Sequence, residues 1–133
     1  MDNQELVNLA IKSQVKAYVP YSKFRVGAAL LTEDGEIFTG CNIEIASYSP
    51  TICAERTAIF KAVSEGHRKI SKLAVVGDSD FTYPCGVCRQ VIREFGPDAI
   101  ILVANKNGDY REYSLEDILP YSFGPEDLES RQE

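Results

Sequence analysis

Hydrophobic residues near the start of the chain recur at helical spacing. Leu6 and Leu9 predict an amphipathic helix within residues 3–18. This helix is expected to end before Pro20, because a proline disfavours the α-helical conformation in the residue that precedes it. Residues 21–24 are predicted to form the loop that follows.

Five short segments predict β-strands. The first two flank the polar turn residues 33–36, so they are expected to form a hairpin. The third and fourth are continuous apolar runs, which are typical of buried strands. The fifth follows an Asn-Gly turn and is expected at the edge of the sheet. The predicted strands cover residues 26–31, 37–41, 73–76, 99–104 and 110–113.

Helices are predicted after two prolines in the middle of the chain. Residues 53–66 follow Pro50, and residues 89–95 follow Pro84. Proline is tolerated at the entrance of a helix but not in its interior, so both prolines mark helix starts. A serine of the type that caps helices begins a short predicted helix over residues 114–119.

The order of these elements predicts an α/β fold. A hairpin followed by alternating strands and helices is expected to give a mixed five-stranded sheet with helices on both faces, which is a three-layer α-β-α sandwich. The chain has 133 residues, of which 44% are hydrophobic and 26% are charged. This composition suits a single domain over residues 1–133. The polar tail after Phe123 is expected to be partly loose.

Composition and charge argue against two classes of partner. The net charge is −6 and the basic residues do not cluster, whereas a protein that grips a nucleic acid strand normally presents a basic face to the phosphates. No apolar run reaches the roughly 18 residues of a membrane-spanning helix. Residues 1–5 are acidic and polar, unlike a secretory signal, so a cytoplasmic location is expected.

Three of the four cysteines occur in an arrangement that suits a metal ion. Cys53 opens one predicted helix, and Cys85 and Cys88 open another. Helix N-termini favour thiolate over thiol, and side chains in a first turn tilt toward the helix start, so the three sulfurs can converge. Three thiolates leave the fourth position of a zinc ion open for water, as in catalytic sites. Two disulfides are the alternative, which the CxxC spacing disfavours.

Charged residues beside these cysteines suggest how the site would work. Glu55 is placed to take a proton from water and return it to a substrate. The alternative is a glutamate that only complements the helix dipole. Arg56 is predicted to donate a hydrogen bond to the thiolate of Cys53 and to draw charge from it, and Arg89 is predicted to do likewise. An ordinary surface position is the alternative for Arg56.

Cys41 and His67 are not expected to bind the metal. Cys41 lies at the end of a predicted strand and has no partner at ligand spacing, so it is interpreted as a small buried thiol. His67 follows Gly66 at a predicted helix end, where an exposed histidine complements the negative end of the helix dipole.

Asn42 and Glu44 alternate with Ile43, so their side chains point the same way if the backbone is extended. A carboxylate beside an amide suits the two hydroxyl groups of a sugar and repels a phosphate. This pair therefore favours a free nucleoside over a nucleotide or a strand. A solvated turn is the alternative interpretation.

Five segments, in order along nearly the whole chain, carry a resemblance that is far more specific than a CxxC motif. They are YSKFRVGAA from Tyr21, GCNIE from Gly40, ICAERTA from Ile52, PCGVCRQ from Pro84 and SFGPEDL from Ser122. Together they resemble the zinc-dependent cytidine deaminases of the small homotetrameric type. The resemblance implies the cytidine deaminase-like fold and one zinc ion per chain. It also implies hydrolytic deamination of cytidine and 2′-deoxycytidine to uridine and 2′-deoxyuridine plus ammonia, in pyrimidine salvage.

The resemblance also implies roles for individual residues. It makes Cys53, Cys85 and Cys88 the zinc ligands and Glu55 the proton carrier. The residues that it places against the nucleoside are Phe24 on the pyrimidine ring, Asn42 and Glu44 on the ribose hydroxyls, Ala54, and Tyr48 and Phe123 across subunit boundaries. Plain packing is the alternative for the three aromatic residues. Ile45 stands where the family usually has asparagine, which changes the hydrogen bonding expected of that loop.

Other functions stay open at this point. A zinc-stabilised binding module without turnover is disfavoured by the open fourth position and by Glu55. A deaminase that acts on a nucleic acid strand is disfavoured by the acidic charge. A deaminase of another aminopyrimidine nucleoside, such as a nucleoside antibiotic, is distinguished only by a panel of substrates.

Overall fold

The computed structural model describes residues 1–129, which form five helices and five strands. The helices are α1 (Asn3–Ser13), α2 (Ala54–Ser64), α3 (Gly86–Phe95), α4 (Leu115–Ile118) and α5 (Pro125–Glu129). The strands are β1 (Val26–Thr32), β2 (Ile37–Cys41), β3 (Ile70–Gly77), β4 (Ile100–Ala104) and β5 (Tyr110–Ser114). A single 3₁₀ turn over Gln14–Lys16 extends α1.

The strands form one mixed sheet in the order β2-β1-β3-β4-β5. Strands β3 and β4 are parallel, and the other three neighbouring pairs are antiparallel. The parallel pair requires a crossover, and α3 lies in that connection. The predicted mixed five-stranded sheet is therefore confirmed.

Helices cover both faces of the sheet. On one face, Leu6, Val7 and Ala10 of α1 pack with buried residues of β1, β3 and β4. On the other face, residues of α2, α3 and α4 pack with the alternate residues of the same strands, including Leu30 and Val75. This alternation follows from the two-residue period of a strand. It confirms the predicted three-layer sandwich.

The first turn of α2 lies directly on β2, at the point where Gly40 leaves room for it. A Cβ atom at Gly40 would lie 2.5 Å from the carbonyl oxygen of Ala54 and 2.6 Å from the amide nitrogen of Ala58. Both contacts are with backbone, which cannot move aside as a flexible side chain can. A glycine at this position therefore sets how closely the N-terminus of α2 approaches the sheet.

The bounds of several elements differ from the sequence-based expectation, and α3 begins at Gly86 rather than at residue 89. Strand β3 runs from Ile70 rather than from residue 73, because the buried Ile70 pairs with β1 and Lys72 pairs with both β1 and β4. The tail after Phe123 was expected to be partly loose, and its residues Pro125–Glu129 form α5. Residues 130–133 of that tail lie outside the described part of the chain. Within residues 1–129, no helix has both the length and the apolar character needed to cross a bilayer.

Candidate metal centre and active site

Two helix N-termini bring three cysteines together. Cys53 is the N-cap of α2 and Cys85 is the N-cap of α3, as the positions of the two prolines predict. Cys88 lies in the first turn of α3, is completely buried, and donates its backbone N–H to the sulfur of Cys85. The predicted convergence of the three thiols is confirmed, because their Sγ atoms all lie within 4.8 Å of one another.

The spacing of the sulfurs fits zinc. The Sγ atoms of Cys53 and Cys85 are 3.7 Å apart, far beyond the roughly 2.05 Å of a disulfide. A tetrahedral zinc ion with Zn–S bonds of about 2.3 Å places neighbouring sulfurs about 3.8 Å apart. Among the residues that the structure describes, this is the one group of three or more His, Cys, Asp or Glu side chains able to hold a metal ion.

Two cysteines of the cluster differ in their pKa. A hydrogen bond with Cys88 lowers the pKa of Cys53 to about 5 against the opposing effect of burial, and Arg56 and Cys85 act in the same direction. The same hydrogen bond, together with burial, raises the pKa of Cys88. Cys53 therefore ionises before Cys88, and a divalent cation that binds here must displace the thiol proton of Cys88.

Glu55 is buried in the first turn of α2, with only 3% of its surface exposed. Burial raises the pKa of Glu55 to about 7, and the negative charge of Cys53 adds to this rise, while the residue's own backbone hydrogen bond and the charge of Arg56 oppose it. A carboxyl group with this pKa can both accept and give up a proton near neutral pH. Its environment therefore suits the predicted proton carrier better than a glutamate that only complements the helix dipole.

Arg56 contacts the cluster as predicted. Its Nη2 atom donates to the sulfur of Cys53 at 3.4 Å. Its Nε atom is buried and has no hydrogen-bond partner among the described residues. A buried guanidinium N–H left unpaired is unfavourable, so Arg56 is held at the sulfurs by the charge of the cluster rather than by a full set of hydrogen bonds. The alternative of an ordinary surface arginine is not supported.

Arg89 does not have the contact that was predicted for it. Its Nε atom donates to the carbonyl oxygen of Pro84 at 2.7 Å, and its Nη1 atom donates to the carbonyl oxygen of Ile118 at 2.8 Å. The prediction that Arg89 donates to a thiolate is therefore wrong. The side chain instead ties the residue before Cys85 to the end of α4, and so supports the loop that carries this ligand.

Asn42 is half-buried and fixes the backbone around Phe24. Its Oδ1 atom accepts from the N–H of Val26 at 2.9 Å, and its Nδ2 atom donates to the carbonyl oxygen of Phe24 at 2.9 Å. One N–H of the amide remains for a ligand hydroxyl group. Asn42 was predicted only to bind the sugar, so its hold on the backbone around Phe24 was not anticipated.

Glu44 accepts hydrogen bonds from the loop that precedes Phe24. Its Oε1 atom accepts from the backbone N–H groups of Tyr21 and Ser22, at 3.1 and 3.0 Å. Hydrogen bonds from Ser22 and Tyr21 lower the pKa of Glu44, so the group is a carboxylate at neutral pH. Ile43 forms isolated β-bridges to Tyr18 and Ile52, so the backbone here is extended. Asn42 and Glu44 therefore both contact the segment over residues 21–26, as the alternating pattern predicts.

The remaining predicted contact residues differ in exposure. Ala54 is buried in the first turn of α2. Tyr48 is 70% exposed and meets the ring of Tyr21 edge-on at 6.2 Å between centroids. Phe123 is 52% exposed. Within the single chain, these two aromatic residues are not packed in the core, which argues against the plain packing alternative for them.

Two side chains of α3 hold the segment around Phe123, and no role was predicted for either of them. Gln90 donates to the carbonyl oxygen of Phe123 at 2.8 Å. Arg93 donates to the hydroxyl of Ser122 at 2.9 Å and pairs with Glu126. Both lie on α3, so the helix that carries Cys85 and Cys88 also positions the C-terminal segment. The spacing of Gln90 and Arg93, three residues apart on one helix face, was the available signal.

Cys41 and His67 do not belong to the cluster, as predicted. Cys41 is a half-buried free thiol at the end of β2 rather than a fully buried one. His67 follows α2, and its Nδ1 atom lies 2.9 Å from a carboxylate oxygen of Asp34. Neither residue belongs to the group of possible metal ligands.

The family model described as "Cytidine and deoxycytidylate deaminase zinc-binding region" matches residues 1–104 of the chain. The chain belongs to this family. The cytidine deaminase of Sporosarcina psychrophila is 52% identical over 130 residues, which cover 96% of each chain. That of Halalkalibacterium halodurans is 50% identical over 130 residues, covering 96% of this chain and 98% of the relative. The crystal structure of the cytidine deaminase from Burkholderia pseudomallei has a TM-score of 0.88 and 46% identity, covering 92% of this chain and 100% of that one.

Membership of the cytidine and deoxycytidylate deaminase family identifies the metal. Cys53, Cys85, Cys88 and Glu55 all lie within the matched zinc-binding region. The metal is zinc, and the donor set and sulfur spacing of this chain fit it. The family also confirms the α/β fold, since the structure from Burkholderia pseudomallei aligns with nearly all of the chain.

Proposed function

We propose that this protein catalyses the hydrolytic deamination of cytidine and 2′-deoxycytidine to uridine and 2′-deoxyuridine plus ammonia, as a single-domain cytoplasmic enzyme of pyrimidine salvage. One observation carries the proposal. Three cysteine sulfurs able to hold zinc lie at two helix N-termini, and the buried Glu55 lies two residues from one of them. The names of the relatives support cytidine as the substrate.

Cys53, Cys85 and Cys88 are the proposed zinc ligands. Three protein ligands leave one position for a reactant, which distinguishes catalytic zinc sites from closed structural ones. When bound, zinc supplies Lewis acidity that makes water a stronger nucleophile at neutral pH. Arg56 offsets part of the negative charge of the three thiolates through its contact with Cys53, and so preserves that acidity.

Glu55 is proposed to move both protons of the reaction. It takes one proton from water and delivers it to ring nitrogen N3, while the water oxygen forms a bond to C4. It then takes the second proton and gives it to the exocyclic amine, after which the C4–N bond breaks and ammonia leaves. The pKa of about 7 that burial gives Glu55 suits a group that must accept and donate in turn.

Asn42 and Glu44 are proposed to bind the ribose hydroxyls, and Phe24 to pack against the pyrimidine ring. The second N–H of Asn42 remains after its contact with Phe24, and the Glu44 carboxylate lies beside it on the same segment. The negative charge of Glu44 disfavours a phosphate at this place, so a free nucleoside is the expected substrate.

A panel of substrates tests this proposal. The ultraviolet absorbance band of cytidine and of 2′-deoxycytidine is expected to decay on mixing with the zinc-loaded protein. A much slower reaction is expected with cytidine monophosphate, with single-stranded DNA or RNA, and with an aminopyrimidine nucleoside antibiotic. Faster turnover of any of these three would contradict the proposed substrate, although not the zinc chemistry.

Replacing Arg56 with glutamine is expected to leave zinc bound and to lower kcat by about 10- to 100-fold, the range typical of groups that contact metal ligands. The reason is that the charge of the thiolates is then less well offset. Zinc content and steady-state rates on cytidine measure the two effects separately. Arg68→Gln, an exposed position after α2, is the matched control and is expected to behave as the unmodified protein. An unchanged kcat in the zinc-replete Arg56 variant would contradict this role.

The active form is proposed to be a homotetramer with shared sites, since the exposed rings of Tyr48 and Phe123 would be covered by neighbouring copies. Dilution to the monomer is expected to abolish most turnover while zinc stays bound. Sedimentation with rate measurements at the same concentrations checks this. Full specific activity in a monomeric fraction would contradict it.

A further inference from the structure

The backbone on both sides of Phe24 is held mainly by side chains. The N–H of Phe24 donates to the hydroxyl of Ser22 at 3.0 Å, and its carbonyl oxygen accepts from Asn42. The carbonyl oxygen of Arg25 accepts from the side chain of Gln14 at 3.1 Å, in addition to the contacts of Asn42 described above. The position of Phe24 therefore depends on a small number of individual hydrogen bonds.

Asp78 makes the shortest of these bonds. Its Oδ2 atom accepts from the backbone N–H of Arg25 at 2.6 Å, and its carboxylate also accepts from the guanidinium of Arg25 at 3.2 and 3.3 Å. Lys106 in the turn between β4 and β5 binds the other oxygen at 2.9 Å. The Asp78 side chain is only 16% exposed. One carboxylate thus joins the end of β3 to the residue next to Phe24 and to a third segment.

The segment before Phe24 needs such support. Lys23 has a φ of 61°, in the left-handed region that residues with a Cβ atom disfavour. A conformation of this kind persists only when the surrounding contacts hold it. Burial alone would raise the pKa of Asp78, but the hydrogen bonds from Arg25 and Lys106 lower it to about 2, so the carboxylate keeps its charge throughout the neutral range.

We propose that Asp78 is a positioning residue for the pyrimidine base, which acts by holding the Arg25 backbone and thereby the ring of Phe24. This rests on the proposed function, in which Phe24 packs against the base. A ring contact of this kind acts on the bound substrate and on the transition state alike, so its loss raises KM and leaves kcat nearly unchanged.

The test compares KM and kcat for cytidine in Asp78→Ala and Asp78→Asn. The KM of the alanine variant is expected to be about tenfold higher, because a charged hydrogen bond that orders the loop is lost. Its kcat is expected to stay within about twofold of that of the unmodified enzyme. The asparagine variant retains an oxygen that can accept from the Arg25 N–H, so it is expected to recover part of the loss. If the alanine variant does not fold, the asparagine variant is used for the comparison of KM and kcat instead.

Asp34→Asn is the matched control. Asp34 is also a carboxylate paired with a basic side chain, His67, but it lies in the turn at the far end of β1, about 20 Å away along a seven-residue strand. The KM of the Asp34→Asn variant for cytidine is expected to be unchanged. Zinc content and melting temperature are measured for every variant. A lower melting temperature for Asp78→Ala with an unchanged KM would overturn the proposal.

A double-mutant comparison shows whether Asp78 acts through Phe24. Phe24→Ala alone is expected to raise KM, and adding Asp78→Ala is expected to raise it little further, because the ring to be positioned is already absent. Independent, multiplying effects would overturn the role of Asp78 and leave the role of Phe24 intact. An unchanged KM in Phe24→Ala alone would instead contradict the proposed contact with the base, and cytidine left unreacted by the unmodified enzyme would contradict the proposed function itself.

Discussion

Replacement of Glu55 by glutamine is expected to leave one zinc ion per chain and to lower kcat for cytidine by at least about 10⁴-fold. General acid–base catalysis by one group is typically worth about 10²–10⁴-fold, and here the same carboxyl group is proposed to serve two proton transfers. Glutamine has nearly the same shape but cannot exchange a proton, so the fold and the zinc site are expected to be preserved.

The control for Glu55→Gln lies on the same helix. Glu65 is the exposed C-cap residue of α2, and Glu65→Gln is expected to retain both zinc and full turnover. Rates are measured from the decay of cytidine absorbance, and zinc content is measured on the same samples. Should Glu55→Gln keep more than about a tenth of the original kcat, the general acid–base role would be lost, since this is outside the range for such a group.

Replacement of Cys88 by serine is expected to remove zinc and turnover together. Contacts to metal ligands are already worth 10- to 100-fold in metal affinity, so loss of a ligand is expected to weaken zinc binding by more than about 100-fold. The melting temperature is also expected to fall, because zinc bound to the folded state contributes to its stability. Zinc content, cytidine turnover and thermal unfolding are the measurements.

The fourth cysteine provides the control for Cys88→Ser. Cys41 is a half-buried free thiol outside the cluster, so Cys41→Ser is expected to keep a full complement of zinc and its turnover. A Cys88→Ser protein that still holds one zinc ion per chain, or a Cys41→Ser protein that loses it, would show that the ligand set is assigned to the wrong sulfurs.

The metal site could be predicted from sequence because its determinants are local. Proline before a cysteine marks a helix start, and a helix start both lowers the pKa of a thiol and directs first-turn side chains beyond the helix end. Cys53 and Cys85 are indeed N-caps. Glu55 lies two residues after Cys53, so it was predicted beside the cluster for the same reason. The contact of Arg56 with Cys53 follows from their spacing of three residues on one helix.

The wrong contact predicted for Arg89 and the contact of Asp78 that was not predicted both involve partners distant in the sequence. Arg89 was expected at a sulfur, but its long side chain reaches the carbonyl oxygen of Ile118, 29 residues away. Asp78 binds the backbone of Arg25, 53 residues away, and nothing in the local sequence of either residue indicates this contact. Such pairings depend on the order of strands in the sheet, which brings the end of β3 beside the start of β1.

The bounds of the strands and the order in the tail were only partly predictable from the sequence, for a related reason. The two ends of β2 agree with the hydrophobic pattern. Strand β3 begins three residues before the predicted apolar run, at the buried Ile70, because the strand continues through the polar Ser71 and Lys72. The tail around α5 is polar, so its hydrophobic pattern gives no sign of order, although Pro125 and the acidic residues after it are typical of a helix start. Its position depends on Gln90 and Arg93 of α3.

The central claim is that zinc held by three cysteines activates water for the deamination of cytidine. It is tested most directly by removing zinc with a chelator, restoring it in increments, and recording cytidine turnover at each zinc content. Turnover is expected to be absent without zinc and to rise in proportion to bound zinc until one ion is present per chain. Full turnover by metal-free protein, or one zinc ion per chain with no loss of cytidine absorbance, would contradict the claim.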